Sequence, residues 1–149
     1  MSAEIWFDDL AVGGRCSGGP TTPTRDEALA FAAAFDPQPY HLDEAAAERS
    51  VFRGLALSGW HTAALTMRLL VEARPFGDHP ILGLGVDELR WLGPVRPGDT
   101  LRLEGQILAL TPSRSKPQGT VRMKITLFNQ RGEPVYSLVP TMIVPRRPA

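Results

Sequence analysis

The chain has 149 residues, 43% hydrophobic and 21% charged, with 14 glycines and 14 prolines. This is the composition of one turn-rich globular domain, taken as residues 1–149, and it argues against disorder or a multidomain machine. Sixteen Lys+Arg balance sixteen Asp+Glu, which removes the electrostatic footprint needed for nucleic-acid or anionic-membrane binding and leaves little repulsion between copies.

The single cysteine, Cys16, forms no internal disulfide, and no apolar run approaches the length of a membrane span. Met1-Ser2-Ala3-Glu4 lacks the basic-then-apolar layout of a secretory signal, so a cytoplasmic location is expected. Helical patterns fill the first half and strand patterns the second, which predicts an α+β class. Gly13-Gly14 and Gly18-Gly19 read as turns without the strand–loop–helix setting of a phosphate loop. Cys16 falls in this glycine-rich loop with no neighbouring histidine, so a catalytic thiol is not expected.

Thr24 and Glu27 form a capping box, and Ala28, Phe31, Ala32 and Phe35 then recur at helical spacing. The helix should stop near Asp36, because Pro37 disfavours helical geometry in the residue before it. A short helix over Asp43 to Arg49 places Asp43 and Glu44 at its positive dipole end. A third helix takes Ser58 as N-cap and runs from Trp60 to about Ala73 without proline or glycine. Its residues Trp60, Ala63, Ala64, Met67, Leu70 and Val71 form one apolar stripe, and Leu65 and Leu69 add a second side. Such a helix is expected at the centre of the fold.

Strands are predicted from about Gly85 to Trp91, around Leu101, Leu103 and Ile107, over Val121 to Leu127, and over Val135 to Val144. Pro97-Gly98-Asp99 and Asn129-Gln130-Arg131-Gly132 are turns. Pro140 cannot donate to a ladder, which predicts a sheet edge or a bulge at that point. Together these patterns describe a mostly antiparallel sheet wrapped around one apolar helix.

One segment stands out chemically: Phe35-Asp36-Pro37-Gln38-Pro39-Tyr40-His41. Its two prolines break any continuous helix and hold Asp36 and Gln38 in extended or turn conformations. A rigid loop of this kind can position a carboxylate and an imidazole as an acid–base pair. Asp before Pro is also an ordinary turn starter, so on spacing and composition alone a polar surface loop is the default reading. His61, within the third helix, reads as a satisfied core or interface histidine, and His79 in Gly77-Asp78-His79-Pro80 as part of a turn. His41, Asp43 and His61 match no zinc spacing, so no metal is expected. Ser58 lacks the flanking glycines of a nucleophile elbow.

Asp36, Pro39 and His41 stand in the register of the Gly-Asp-x-Asn-Pro-x-His motif of the MaoC-like dehydratases, the family that contains the (R)-specific enoyl-CoA hydratases. Leu42-Asp43-Glu44-Ala45-Ala46 resembles the helix that follows that motif, and Gly59 matches the glycine opening the family's long helix. The run Trp91-Leu92-Gly93-Pro94-Val95-Arg96-Pro97-Gly98-Asp99-Thr100-Leu101 is similar to a second signature. Three positions depart: the motif glycine is Phe35, its asparagine is Gln38, and the histidine that often precedes the helix glycine is Ser58.

The resemblance implies a single hot-dog fold, an antiparallel sheet around a long central helix, assembled as a homodimer or dimer of dimers through sheet edges. It implies reversible hydration of a 2-enoyl-CoA to an (R)-3-hydroxyacyl-CoA with no cofactor. Asp36 and His41 would activate water, and the Gly59 amide would stabilise the thioester oxygen. Ser58, Trp60 and Tyr40 are expected to contact the acyl-CoA thioester. Arg96, Arg114, Lys116, Arg146 and Arg147 could meet phosphates, although scattered surface cations are the default. Two other readings stay open: a hot-dog thioesterase, which would not explain the Asp36/His41 match, and a non-catalytic acyl-thioester-binding subunit.

Overall fold

A computed structural model describes residues 3–149; Met1 and Ser2, part of the stretch read for a targeting signal, lie outside the described residues. Four helices precede most of the sheet: α1 (Arg25–Phe35), α2 (Pro39–Leu42), α3 (Glu44–Glu48) and α4 (Gly59–Ala73). Five strands, β1 (Arg15–Thr21), β2 (Leu82–Trp91), β3 (Leu101–Pro112), β4 (Gln118–Phe128) and β5 (Pro134–Pro145), form one antiparallel sheet in the order β1-β3-β4-β5-β2. No helix among the described residues is long and apolar enough to cross a membrane.

The strand alternation read from the sequence is the core pattern. Leu101, Leu103 and Ile107 of β3 and Val121, Met123, Ile125 and Leu127 of β4 are all buried. They meet Leu65, Leu69 and Leu70 of α4 in one hydrophobic cluster. Each such aliphatic side chain removed from water contributes about 1.5–3 kcal/mol, so the α4–sheet contact is the main cohesive layer.

Local signals act as expected at the helix ends. The Thr24 hydroxyl accepts from Glu27 N–H at 3.1 Å, and Asp43 accepts from Ala45 N–H at 3.1 Å. The Glu27 carboxylate accepts from the Thr24 hydroxyl at 3.0 Å and not from the Thr24 backbone N–H, so the expected capping box is only half formed. α1 ends at Phe35, and Asp36 leaves helical geometry at φ −149°.

Four expectations need correction. Cys16 and Gly18-Gly19 lie within strand β1, not in loops or turns. Glycine is required there because a Cβ on Gly18 would stand 2.8 Å from the Leu69 carbonyl oxygen of α4. A close backbone approach therefore produced a turn-like composition inside a strand. β5 is an interior strand, so Pro140 sits at no edge. The β4 ladder skips it and resumes in unchanged register between Arg122↔Thr141 and Ile125↔Leu138. On the other side Pro140 pairs with Val86 between two register shifts of β2, at Gly83/Gly85 and Asp87/Arg90, so the expected bulge lies in the neighbouring strand. The segment ending at His41 contains a helical turn, α2, because Pro39 occupies its first position, where no N–H is needed.

The fourth correction concerns the buried face of α4. His61, Thr62, Leu65, Thr66 and Leu69 point inward, while Trp60, Met67 and Val71 of the predicted stripe are exposed. Thr66 hides its hydroxyl by donating to the Thr62 carbonyl at 2.8 Å, which lets a polar residue serve as core. The exposed stripe borders β2, whose Leu82, Leu84 and Val86 are exposed as well.

Candidate active site

Three short pieces of chain meet at the N-terminus of α4. Asp36 caps the C-terminus of α1 through its N–H to the Ala32 carbonyl at 2.8 Å. The turn of α2 then carries His41 back beside it, leaving Asp36 Oδ2 and His41 Nε2 3.4 Å apart. The His41 side chain is 5% exposed and that of Asp36 15%. Nδ1–H of His41 donates to the Ala56 carbonyl at 2.9 Å, which fixes the tautomer and leaves Nε2 as the basic nitrogen facing the carboxylate. The His41 Nε2 and the Asp36 carboxylate therefore converge on one point, and whenever the imidazole is neutral both are acceptors.

Neutral donors hold the carboxylate from its other sides. Ser58 Oγ–H donates to Asp36 Oδ2 at 2.6 Å, and Gln38 Nε2–H donates to Oδ1 at 2.5 Å. Partial burial pushes the Asp36 pKa up, but the Ser58 and Gln38 hydrogen bonds and the nearby His41 outweigh it, so the net shift is downward. Ser58 is wholly buried and also accepts from Trp60 N–H at 3.3 Å as the cap of α4. The Gly59 amide has no acceptor among the described residues.

A cleft of about 390 Å³ opens in front of this cluster. Asp36, His41, Gly59 and Trp60 line it, with Phe52, Leu57, Trp91 and the Leu92–Val95 run forming most of its wall. Trp60 and Trp91 pack edge-to-face with centroids 5.0 Å apart, and the Trp91 indole N–H donates to the Gly59 carbonyl at 2.8 Å. The wall is apolar, and the polar groups converge at one end, the usual build of a small-molecule site.

Of the six expected site residues, Asp36, His41, Gly59 and Trp60 face this cleft, whereas Ser58 and Tyr40 do not line it. Ser58 stands behind Asp36. Tyr40 packs edge-on against His41 at 4.6 Å and against Phe52 at 5.3 Å, with its hydroxyl on Gln38. Phe52 and Trp91 went unread as site residues: Phe52 sits in a turn without periodicity, whereas Trp91 opens the second signature.

Other candidates have settled roles. The Arg96 guanidinium donates to the carbonyls of Phe52 at 2.5 Å and Leu55 at 3.2 Å, clasping the loop that carries the cleft wall. Arg146 and Arg147 pair with Asp8 and Asp9 at 2.7 and 2.6 Å. His61 stacks on Phe31 at 4.6 Å with its rings 7° from parallel. It is a core histidine, but its buried Nδ1 has no partner, so it is not the satisfied one expected; burial depresses its pKa, partly opposed by Glu27. No group of three or more His, Cys, Asp or Glu side chains is placed to hold a metal ion among the described residues.

A family model described as MaoC like domain matches residues 15–128, taking in Asp36, His41, Gly59 and Trp91. The chain belongs to the MaoC-like family. Its sheet and central helix are the hot-dog fold of that family's solved members. A MaoC-like dehydratase from Rhodospirillum rubrum superimposes with a TM-score of 0.91 at 46% identity, covering 97% of this chain and 99% of that one. The R-hydratase PhaJ1 from Pseudomonas aeruginosa gives a TM-score of 0.77 at 28% identity, covering 97% and 88% respectively. The mesaconyl-CoA hydratase of Cereibacter sphaeroides is 40% identical over 67 residues, 45% of this chain and 20% of that protein. This chain thus matches about one fifth of that enzyme's length.

Proposed function

We propose that this MaoC-like chain, one domain over residues 1–149, is a cytoplasmic hydro-lyase that adds water reversibly to a 2-enoyl thioester, with a CoA thioester as substrate and the (R)-3-hydroxyacyl thioester as product. The observation that carries this reading is the convergence of Asp36 Oδ2 and His41 Nε2, 3.4 Å apart, at the polar end of an apolar cleft. Two acceptors aimed at one point suit a ligand that brings its own protons, and water is the simplest. The resemblance to hydratases supplies the reaction class.

Water held by the pair loses a proton to it as the oxygen attacks the β-carbon, and the π electrons move onto the thioester oxygen. The pair then returns that proton to the α-carbon as the enolate collapses, so the added hydroxyl and the added hydrogen come from one water. The free Gly59 amide, at the positive end of α4, donates to the oxygen that becomes negative. Phe52, Trp60 and Trp91 exclude bulk water from the acyl group. Two copies pair through the exposed β2 edge and the exposed stripe of α4, making the assembly a homodimer or a dimer of dimers.

The test is loss of the enoyl-thioester ultraviolet absorbance on mixing purified protein with crotonyl-CoA, with chiral analysis of the product. Asp36→Asn and His41→Ala should each lose about 10²–10⁴ in rate. Thermal stabilisation by the thioester without turnover would replace this reading with a binding role. Free thiol release without loss of the double bond would replace it with a thioesterase.

A further inference from the structure

Gln38 and Tyr40 form a hydrogen-bonded line leading into Asp36. Tyr40 Oη lies 2.5 Å from Gln38 Oε1, and Gln38 Nε2 lies 2.5 Å from Asp36 Oδ1. The direction of this line follows from chemistry. An ionised carboxylate only accepts, so the amide must present its NH₂ to Asp36. Its carbonyl is then turned to Tyr40, and the phenol must donate.

Each member is held in place by its surroundings. Gln38 is extended at φ −86°, ψ 143°, between Pro37 and Pro39. Tyr40 is fixed by its ring contacts to His41 and Phe52. Glutamine has one more rotatable bond than the asparagine of the related motif, so its amide has more conformers to lose before it can hold a carboxylate. A donor on its carbonyl selects one of them.

We propose that Tyr40 is a positioning residue whose hydroxyl orients the Gln38 amide, which in turn holds Asp36 Oδ1 so that Oδ2 faces His41. This deepens the hydratase reading and rests on it for its kinetic consequence alone. The line also favours the ionised carboxylate, since each hydrogen bond polarises the next. His41 is the titratable group facing Asp36, whereas Ser58 and Gln38 are neutral donors.

The experiment uses the full chain and the variants Tyr40→Phe, which keeps the ring, and Gln38→Leu. Carbon-13 carboxyl NMR, with the Asp36 resonance assigned by Asp36→Asn, follows its titration without any substrate. Asp36 should titrate at higher pH in both variants, and Tyr40→Phe should add nothing in a Gln38→Leu background. On crotonyl-CoA, Tyr40→Phe should lower kcat by about three- to tenfold, the effect of one hydrogen bond, leave KM unchanged, and move the acid limb of the pH profile upward. An unchanged Asp36 titration in Tyr40→Phe overturns the proposal. So does a raised KM with unchanged kcat, which would make Tyr40 a substrate contact. Wild-type protein inactive on enoyl thioesters would sink the hydratase reading, while the titration would still decide the relay.

Discussion

Gly59→Ala tests the packing at the head of α4. A Cβ built at this position would stand 2.6 Å from Trp91 Nε1 and 2.7 Å from Cε2. Ordinary contact begins near 3.4 Å, so the indole must retreat by about 0.8 Å, more than a packed ring tolerates without reorientation. Overpacking of this kind costs about 1–3 kcal/mol. Loss of the indole hydrogen bond to the Gly59 carbonyl adds about 1 kcal/mol, and the better helix propensity of alanine offsets up to about 1 kcal/mol. The net loss is therefore about 1–3 kcal/mol, or roughly 2–4 °C in Tm per kcal/mol for a domain of this size. The displaced Trp91 also reshapes the cleft wall, so kcat/KM for crotonyl-CoA should fall together with Tm. Thermal melts and the absorbance assay on Gly59→Ala, Trp91→Leu and the double variant separate these effects. Trp91→Leu removes the ring that alanine strikes, so adding Gly59→Ala to it should cost little further stability. Equal and additive losses would refute the assignment of the glycine to Trp91.

Three further outcomes follow from the structure. Arg96→Ala removes a charged donor from the Phe52 and Leu55 carbonyls, and should cost about 1–3 kcal/mol in thermal unfolding and raise KM as Phe52 loosens; an unchanged Tm would show the clasp to be idle. His61 has a folded pKa below its ordinary 6.5, so the unfolded chain takes up the proton first and stability falls as pH drops below about 7 toward the folded value. His61→Phe should lose that part of the slope in urea midpoints compared at pH 7.5 and 5.5, and an identical slope would refute it. Leu84→Asp places a charge on the exposed edge strand β2 and should leave the fold intact but give a monomer in sedimentation, whereas an unchanged assembly would move the interface elsewhere.

Much of this architecture was legible because period and chain connectivity agree. Alternation in β3 and β4 coincides with burial, since both strands lie inside the sheet with one face on α4. The Asp36–His41 pairing was legible from motif register, and the extended Gln38 from its two flanking prolines, whereas the helical turn α2 that carries His41 back beside Asp36 was not. β1 was missed because Gly18 is demanded by the α4 backbone and not by a turn. The Arg96 clasp and the wall position of Phe52 were invisible because they join residues more than forty positions apart, through backbone carbonyls that carry no sequence signal.

The misread face of α4 has a different cause. Periodicity reports how apolar a stripe is, not whether a sheet of the same chain or another surface covers it. Here His61, Thr62 and Thr66 go inward, while Trp60, Met67 and Val71 stay exposed beside Leu84 and Val86. Met67, Leu84 and Val86 share one groove of about 400 Å³ at the β2 edge, where unpaired strand groups and apolar side chains occur together. Both features are stabilised by the same event, addition of a second strand edge and a second apolar face. Trp60 belongs to this exposed stripe and to the cleft wall at once. A copy docked on the stripe would restrict Trp60 and, through their edge-to-face contact, Trp91. Assembly and the shape of the cleft are then coupled through two indoles, so Leu84→Asp should raise KM for crotonyl-CoA as well as dissociate the proposed dimer; a fully active monomer would uncouple them.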